Sequence, residues 1–244
     1  MIIGVKSDKG IIRDINEDSY SIINDAEGKP VSFIIADGMG GHNSGEIASK
    51  MAVDYISSSL ESIFDNLREE NIETTMREII EKANDIIYQK SSEPGPYFGM
   101  GTTLLMAIFL GKKLYVIHIG DSRAYLMRDG VIKQLTTDHS YVEELIKNGS
   151  ITRVEVEHHP QKHIITRALG CFQSVDTDIS SFDILHNDIF ILCTDGLTNM
   201  LSDDKIKSIV EKHEDPQLAC TELVEEANTS GGIDNITVVI IRCE

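Results

Sequence analysis

The sequence predicts a layered α+β fold, and three observations carry that expectation. Apolar strands follow one another through short turns, the strongest helical stretches come in pairs, and strands and helices do not alternate in the way a parallel sheet requires. Strands are expected at Ile2–Ser7, Ser19–Asn24 and Val31–Ala36. A helix follows from about Glu46 to Phe64, with Ala48, Met51, Ala52, Tyr55, Ile56, Leu60 and Ile63 on one face. Its companion runs from about Ile72 to Lys90 and presents Met76, Ile79, Ile80, Ala83 and Ile87. TTLLMAIFL and LYVIHIG, joined at Gly111-Lys112-Lys113, form a hairpin, as do SRAYLMR and VIKQL around Asp129-Gly130. Another strand is expected at Ile189–Cys193. Ser202, with Asp203 and Asp204 behind it, starts a helix, and Asp215-Pro216 starts the next. The strand Ile236–Arg242 closes the chain.

Composition limits what such a domain can do. Forty acidic residues against 22 Lys and Arg leave a net charge of -18, which disfavours nucleic acid and anionic membrane surfaces. It leaves room for an anionic substrate if cations reverse the local sign. Cys171, Cys193, Cys220 and Cys243 form no CxxC pair, so reduced thiols and a cytoplasmic location are expected. The apolar run Leu104–Leu110 is far shorter than the ~20 residues a membrane helix needs. The start MIIGVKSDKG lacks the character of a signal peptide, and no linker or repeat divides the chain, so one domain over 1–244 is expected. Nothing such as an amphipathic heptad calls for a dimer, so a monomer is expected.

One arrangement recurs. Asp37-Gly38 follows VSFIIA, Asp195-Gly196 follows IFILCT, Asp121 follows LYVIHIG, and Asp234 precedes NITVVII. Acids at the ends of apolar strands can meet at one edge of a sheet, where their repulsion is tolerable only with bound cations. Such oxygen-rich sites select hard ions such as Mg²⁺ or Mn²⁺. The competing explanation for Asp-Gly is a turn, which Asp129-Gly130 illustrates. Asp37-Gly38 differs because more glycine and then a helix follow it. GMGGHNSG fits neither a P-loop nor a dinucleotide fingerprint. Arg13 stands just before Glu17 and Asp18; arginine forks well onto phosphate, although a solvated charged turn has the same appearance.

RDINEDS, ADGMGGH, GMGTT, GDSRAY, LTTDHS, ITRALG, CTDGLTNM and GGIDNITVV stand in that order between Arg13 and Val239. In this ordered set the chain resembles the bacterial form of the metal-dependent PPM/PP2C protein serine/threonine phosphatases. The resemblance implies a central antiparallel β-sandwich flanked by pairs of α-helices, with a flap at about 141–164. It implies two Mn²⁺ or Mg²⁺ ions held by Asp37, the Gly38 carbonyl, Asp195 and Asp234, with Glu17 and Asp18 beside them. A third ion matches Asp121 with Asp195, and Arg13 would grip the substrate phosphate. The implied reaction is hydrolysis of phosphoserine and phosphothreonine on proteins, opposing a Hanks-type kinase and its substrates. Two alternatives are a catalytically inactive phosphoprotein-binding module, and a phosphatase of phosphohistidine or small-molecule phosphates. The inactive module would be expected to have lost metal acids, and every matched acid is present.

The chain departs from the pattern at Met39, where many eukaryotic relatives carry a histidine proposed as the general acid. His42 is a nearby candidate for that role, with a solvent-facing cap on the following helix as its competing reading, and a metal-bound water is another candidate acid. His158, His159 and His163 lie in the flap and are expected on its surface. Cys193 precedes a matched acid on an apolar strand and is expected in the core, while Ser122 and Thr194 are expected to make turn hydrogen bonds.

Overall fold

The computed structural model describes residues 1–40, 44–156 and 159–244. Its strands are β1 (Ile2–Asp8), β2 (Asp18–Asn24), β3 (Pro30–Met39), β4 (Gly101–Thr102), β5 (Leu104–Leu110) and β6 (Lys113–Ile119). They continue with β7 (Arg123–Arg128), β8 (Val131–Gln134), β9 (Asp178–Asp183), β10 (Ile189–Cys193) and β11 (Ile236–Arg242). The helices are α1 (Ser44–Ile63), α2 (Ile72–Ser92), α3 (Tyr141–Lys147), α4 (Arg153–Val156), α5 (Asp195–Thr198), α6 (Asp203–Lys212) and α7 (Pro216–Thr229).

Two antiparallel sheets form, in the orders β1-β11-β10-β7-β8 and β2-β3-β5-β6-β9, with β4 added to β3. The period-2 alternation of the strands divides their side chains between layers. In β3, Phe33 and Ile35 join Leu105, Ala107, Phe190, Leu192, Val239 and Ile241 between the sheets, whereas Ile34 and Ala36 face α1 and α2. On the other sheet Ile191, Cys193, Val238 and Ile240 face α6 and α7. The layers are therefore helix, sheet, sheet, helix, as the resemblance implied. Phe109 packs edge-on against both Phe33 and Phe190 with ring centroids 5.8 Å apart, joining the sheets by the geometry aromatic quadrupoles favour.

Local signals account for most element boundaries. Ser202 Oγ accepts from the Lys205 amide and Asp215 Oδ1 from the Gln217 amide, so both expected caps are made. The Asp129-Gly130 turn has positive φ at both residues, the type I′ signature. Three expectations need correction. Lys113 belongs to β6, where it pairs with Leu110, so the turn is Gly111-Lys112 alone. β9 went unpredicted because DISSFD is a polar edge strand with few buried positions. Finally, β3 does not stop at Ala36; it runs through Asp37 and Gly38 to Met39 because β4 offers it a fresh partner.

Phe190→Ala should cost about 3–5 kcal/mol by emptying a fully buried site between the sheets. The midpoint of urea unfolding measures the loss.

Candidate metal centre

The site grows from the switch of partner along β3. Up to Ile35 the strand pairs with β5, and from Gly38 it pairs with β4. Asp37 sits at the gap, opposite Asp18 of β2. Its backbone is tied on both sides. The Asp37 amide donates to Thr103 Oγ1 at 2.9 Å, and its carbonyl accepts from the Thr103 amide and from Thr102 Oγ1, each at 2.9 Å. The GMGTT threonines are thus the braces of Asp37. Gly38 is required by close packing: a Cβ there would run into the Gly45 carbonyl of α1 and the Glu17 carbonyl.

The other acids arrive from different strands. Asp121 follows β6 through Gly120, whose φ of 110° suits glycine. The Gly120 turn is locked by His139, whose backbone amide donates to the Gly120 carbonyl at 2.7 Å while its Nδ1 accepts from the Gly120 amide at 3.0 Å. Asp195 opens α5 directly beyond β10, and Asn199 donates to its Oδ2 at 2.9 Å. Asp234 precedes β11 and meets Arg13, whose Nη2 donates to Asp234 Oδ2 at 2.8 Å. Arg13 also lies 3.9 Å from Glu17 Oε2, so the guanidinium sits over two acids. Glu17 Oε1 in turn accepts from the Gly45 amide at 3.1 Å.

These carboxylates act on one another. Burial raises the Asp37 carboxyl well above its ordinary range, and the charges of Asp18, Asp195, Asp121 and Asp234 raise it further. Asp121 is raised by burial and by Asp195, and Asp195 by burial and by Asp234. Asp195 also lies within hydrogen-bonding reach of the Asp37 carboxyl. Asp18 is pushed up to about 7 by burial, against the opposing pull of Thr237 Oγ1 at 2.6 Å and Thr194 Oγ1 at 3.0 Å, which both donate to its Oδ2. Burial also raises Glu17, opposed by Arg13.

The donor set fits hard divalent ions. Asp18, Asp121 and Asp195 each keep one buried Oδ1 without a hydrogen-bond partner, an expensive condition unless a cation or an ordered water meets it. Every donor is oxygen, as Mg²⁺ and Mn²⁺ prefer. Among the described residues, no three His, Cys, Asp or Glu side chains form a ready-made ligand group, so carbonyl and water oxygens would complete any coordination shell.

Of the residues singled out in the sequence, Arg13, Glu17, Asp18, Asp37, Gly38, Asp121, Asp195 and Asp234 are brought into this one network. His42 and His158 lie outside the described residues. His163, with Asp121 and Asp195, lines a cleft of about 670 Å³ to which Val142, Ile146 and Val156 also contribute. His159 stays at the surface, accepting from the Gln161 amide. Cys193 is fully buried and its thiol is pushed up to about 12, which suits a core residue and not a nucleophile. The Ser122 hydroxyl bonds Thr103 Oγ1 at 3.0 Å, a brace between separate segments where a local turn bond was expected.

Several supporting roles escaped the sequence reading, including that of Thr194, for which only a turn bond was expected. Asn235 accepts from the Glu17 amide and donates to the carbonyls of Lys9 and Ile15, fixing the loop that carries Arg13 and Glu17. Thr237 and Thr194 hold Asp18. The available signal was the placement of threonine or asparagine beside each acid in TT, CTDG and DNIT.

The raised carboxyl of Asp18 fixes the sign of a pH effect in metal-free protein. Between the ordinary aspartate range and about 7 the folded state holds a proton that the unfolded chain releases, so this group costs stability as pH rises through that window. Asp18→Asn in EDTA should therefore gain Tm over wild type by an amount that grows from pH 4.5 to 7.5. Each kcal/mol is worth about 2–4 °C in a chain of this size. A thermal-shift series at fixed ionic strength measures the difference, and a gain that shrinks with pH would contradict the assignment.

The family model described as Protein phosphatase 2C matches residues 13–225. The chain is 37% identical to the serine/threonine phosphatase stp of Listeria monocytogenes over 237 residues, covering 97% of this chain and 94% of that protein. The solved structure of the Streptococcus agalactiae serine/threonine phosphatase superposes with a TM-score of 0.94 at 36% identity, covering 99% of both chains. The catalytic domain of the phosphatase PstP, solved in complex with 2 manganese ions, superposes with a TM-score of 0.84 at 31% identity, over 99% of this chain and 98% of that one. With its sandwich, its braced Asp37 and its cluster of carboxylates, this chain belongs to the protein phosphatase 2C family.

Proposed function

We propose that this protein hydrolyses phosphoserine and phosphothreonine on proteins with the help of two divalent ions, Mn²⁺ or Mg²⁺. The observation that carries the reading is the convergence of mutually raised carboxylates on Asp37, three with an unpartnered buried oxygen in the cluster, directly beside Arg13. Bound ions would be held by Asp37, the Gly38 carbonyl, Asp195 and Asp234, and a third by Asp121 with Asp195. Such ions supply acidification of a water and charge neutralisation of the phosphoryl oxygens.

The chain's own groups do the rest. Arg13 exchanges the Asp234 carboxylate for the substrate phosphate and orients it by a forked contact. Asp18, its Oδ2 occupied by two threonine hydroxyls, keeps Oδ1 to accept from a water and hold it in line with phosphorus. Glu17 keeps Arg13 aimed at the centre. The leaving alkoxide needs a proton, for which His42 is the side-chain candidate because Met39 has none to give. The chain is one catalytic domain over 1–244, and its segment at about 141–164 acts as a flap over the cleft that His163 lines.

Substrates are phosphorylated proteins made by a Hanks-type kinase, and the working form is a monomer in the cytoplasm. Four free cysteines agree with a reducing compartment, and among the described residues no helix is long and apolar enough to cross a membrane.

A phosphothreonine peptide should release phosphate in the presence of Mn²⁺ and not in EDTA. Asp234→Asn should lower turnover by more than the about 10–100-fold that losing an outer-shell partner costs. Metal-independent turnover of the peptide would refute the reading.

A further inference from the structure

Three large aliphatic side chains stand in solvent beside Arg13. Ile11 is 64% exposed, Ile12 66% and Ile233 45%. They belong to two neighbouring segments, since the amides of Ile11 and Ile12 both donate to the Gly232 carbonyl, at 2.8 and 3.1 Å. Between them Gly231 is exposed, while Gly232 is buried beneath Ile11 and Asn228. A Cβ on Gly232 would stand 2.7 Å from Ile11 Cγ1, and one on Gly231 would stand 3.7 Å from Ile233 Cγ2 and 3.4 Å from Met200 Sδ. The result is an isoleucine shelf around the exposed Gly231, with Met200 at its margin.

Nothing in the turn itself calls for isoleucine here. Backbone hydrogen bonds hold the turn, and polar residues would make the same bonds at no hydration cost. Contiguous exposed apolar surface marks an interaction site. The shelf's position indicates its occupant. Ile12 immediately precedes Arg13 and Ile233 immediately precedes Asp234, and those two side chains bond each other at 2.8 Å. The shelf is therefore continuous with the point where the proposed reaction binds phosphate. One residue of extended peptide spans about 3.3–3.6 Å, so a neighbour of the phosphorylated residue reaches it. Glu17 and Asp234 lie at the same point and disfavour an acidic neighbour.

We propose that Ile11, Ile12 and Ile233 form a substrate subsite that takes an apolar side chain flanking the phosphorylated serine or threonine. The inference rests on the phosphatase reading above. It makes these residues determinants of specificity, with no part in the bond-breaking step.

The test uses pairs of phosphothreonine peptides that differ only in carrying Leu or Ser next to the phosphoresidue, on its N-terminal or its C-terminal side, plus p-nitrophenyl phosphate. With wild type and Mn²⁺, one Leu peptide should exceed its Ser partner about tenfold in kcat/KM, mainly through KM. The triple variant Ile11→Ser/Ile12→Ser/Ile233→Ser should bring that ratio close to one, and Ile12→Leu should retain it. Circular dichroism checks that the triple variant is folded, and Ile12→Ser alone serves in its place if it is not. Equal rates on both members of each wild-type pair would overturn the subsite while leaving the phosphatase reading intact. Absence of turnover on the peptides and on p-nitrophenyl phosphate would instead overturn the phosphatase reading. Sedimentation of wild type and triple variant covers another occupant. Self-association lost in the variant without a change in the peptide ratio would assign the shelf to a second copy of the chain.

Discussion

The repulsion among carboxylates around Asp37 is the constraint on which the rest of this structure depends. Burial raises Asp37, Asp121 and Asp195, and each is raised further by at least one of its neighbours. Removing charge from water is costly, and removing like charges together is more so. Such a cluster cannot stabilise the fold that contains it. It persists because the surrounding sandwich supplies the stability, and because divalent ions, when bound, convert mutual repulsion into shared attraction.

The scaffold holds these acids through many short backbone ties. Asp37 is fixed by two threonine hydroxyls and a threonine amide, Asp121 through the reciprocal bonds of Gly120 with His139, and Asp18 by two further threonine hydroxyls. Several of these ties attach to the backbone, and Asp18, Asp121 and Asp195 each keep a buried Oδ1 without a partner. A scaffold that satisfied every carboxylate oxygen internally would compete with its own ligands. The change of β3 partner from β5 to β4 opens the ladder at Asp37, the residue on which the other carboxylates act.

Arg13 has to work against the overall charge of -18. In this structure Asp234 and Glu17 hold the guanidinium, and its positive charge offsets part of the local negative charge. The isoleucine shelf adjoins this pair, so orientation of the phosphate and selection of its neighbours would take place on the same two loops.

Much of this was legible in the sequence. Period-2 runs, Asp129-Gly130, and the caps at Ser202 and Asp215 encode elements through interactions within a few residues, so local chemistry sufficed for them. Asp37, Asp121, Asp195 and Asp234 were identifiable as acids at the ends of apolar strands, and Arg13, Glu17 and Asp18 through the RDINEDS stretch that carries the family resemblance. Tertiary structure decided what depends on partners far along the chain. The extension of β3 to Met39 needs β4, more than sixty residues away, and β9 forms only because β6 offers an edge. Asn235, Thr194 and Thr237 look like ordinary polar residues until Glu17 and Asp18 arrive beside them. Local preference marks where an acid stands; only the closed sandwich decides which oxygens remain unpaired, because that depends on which donors the other strands bring.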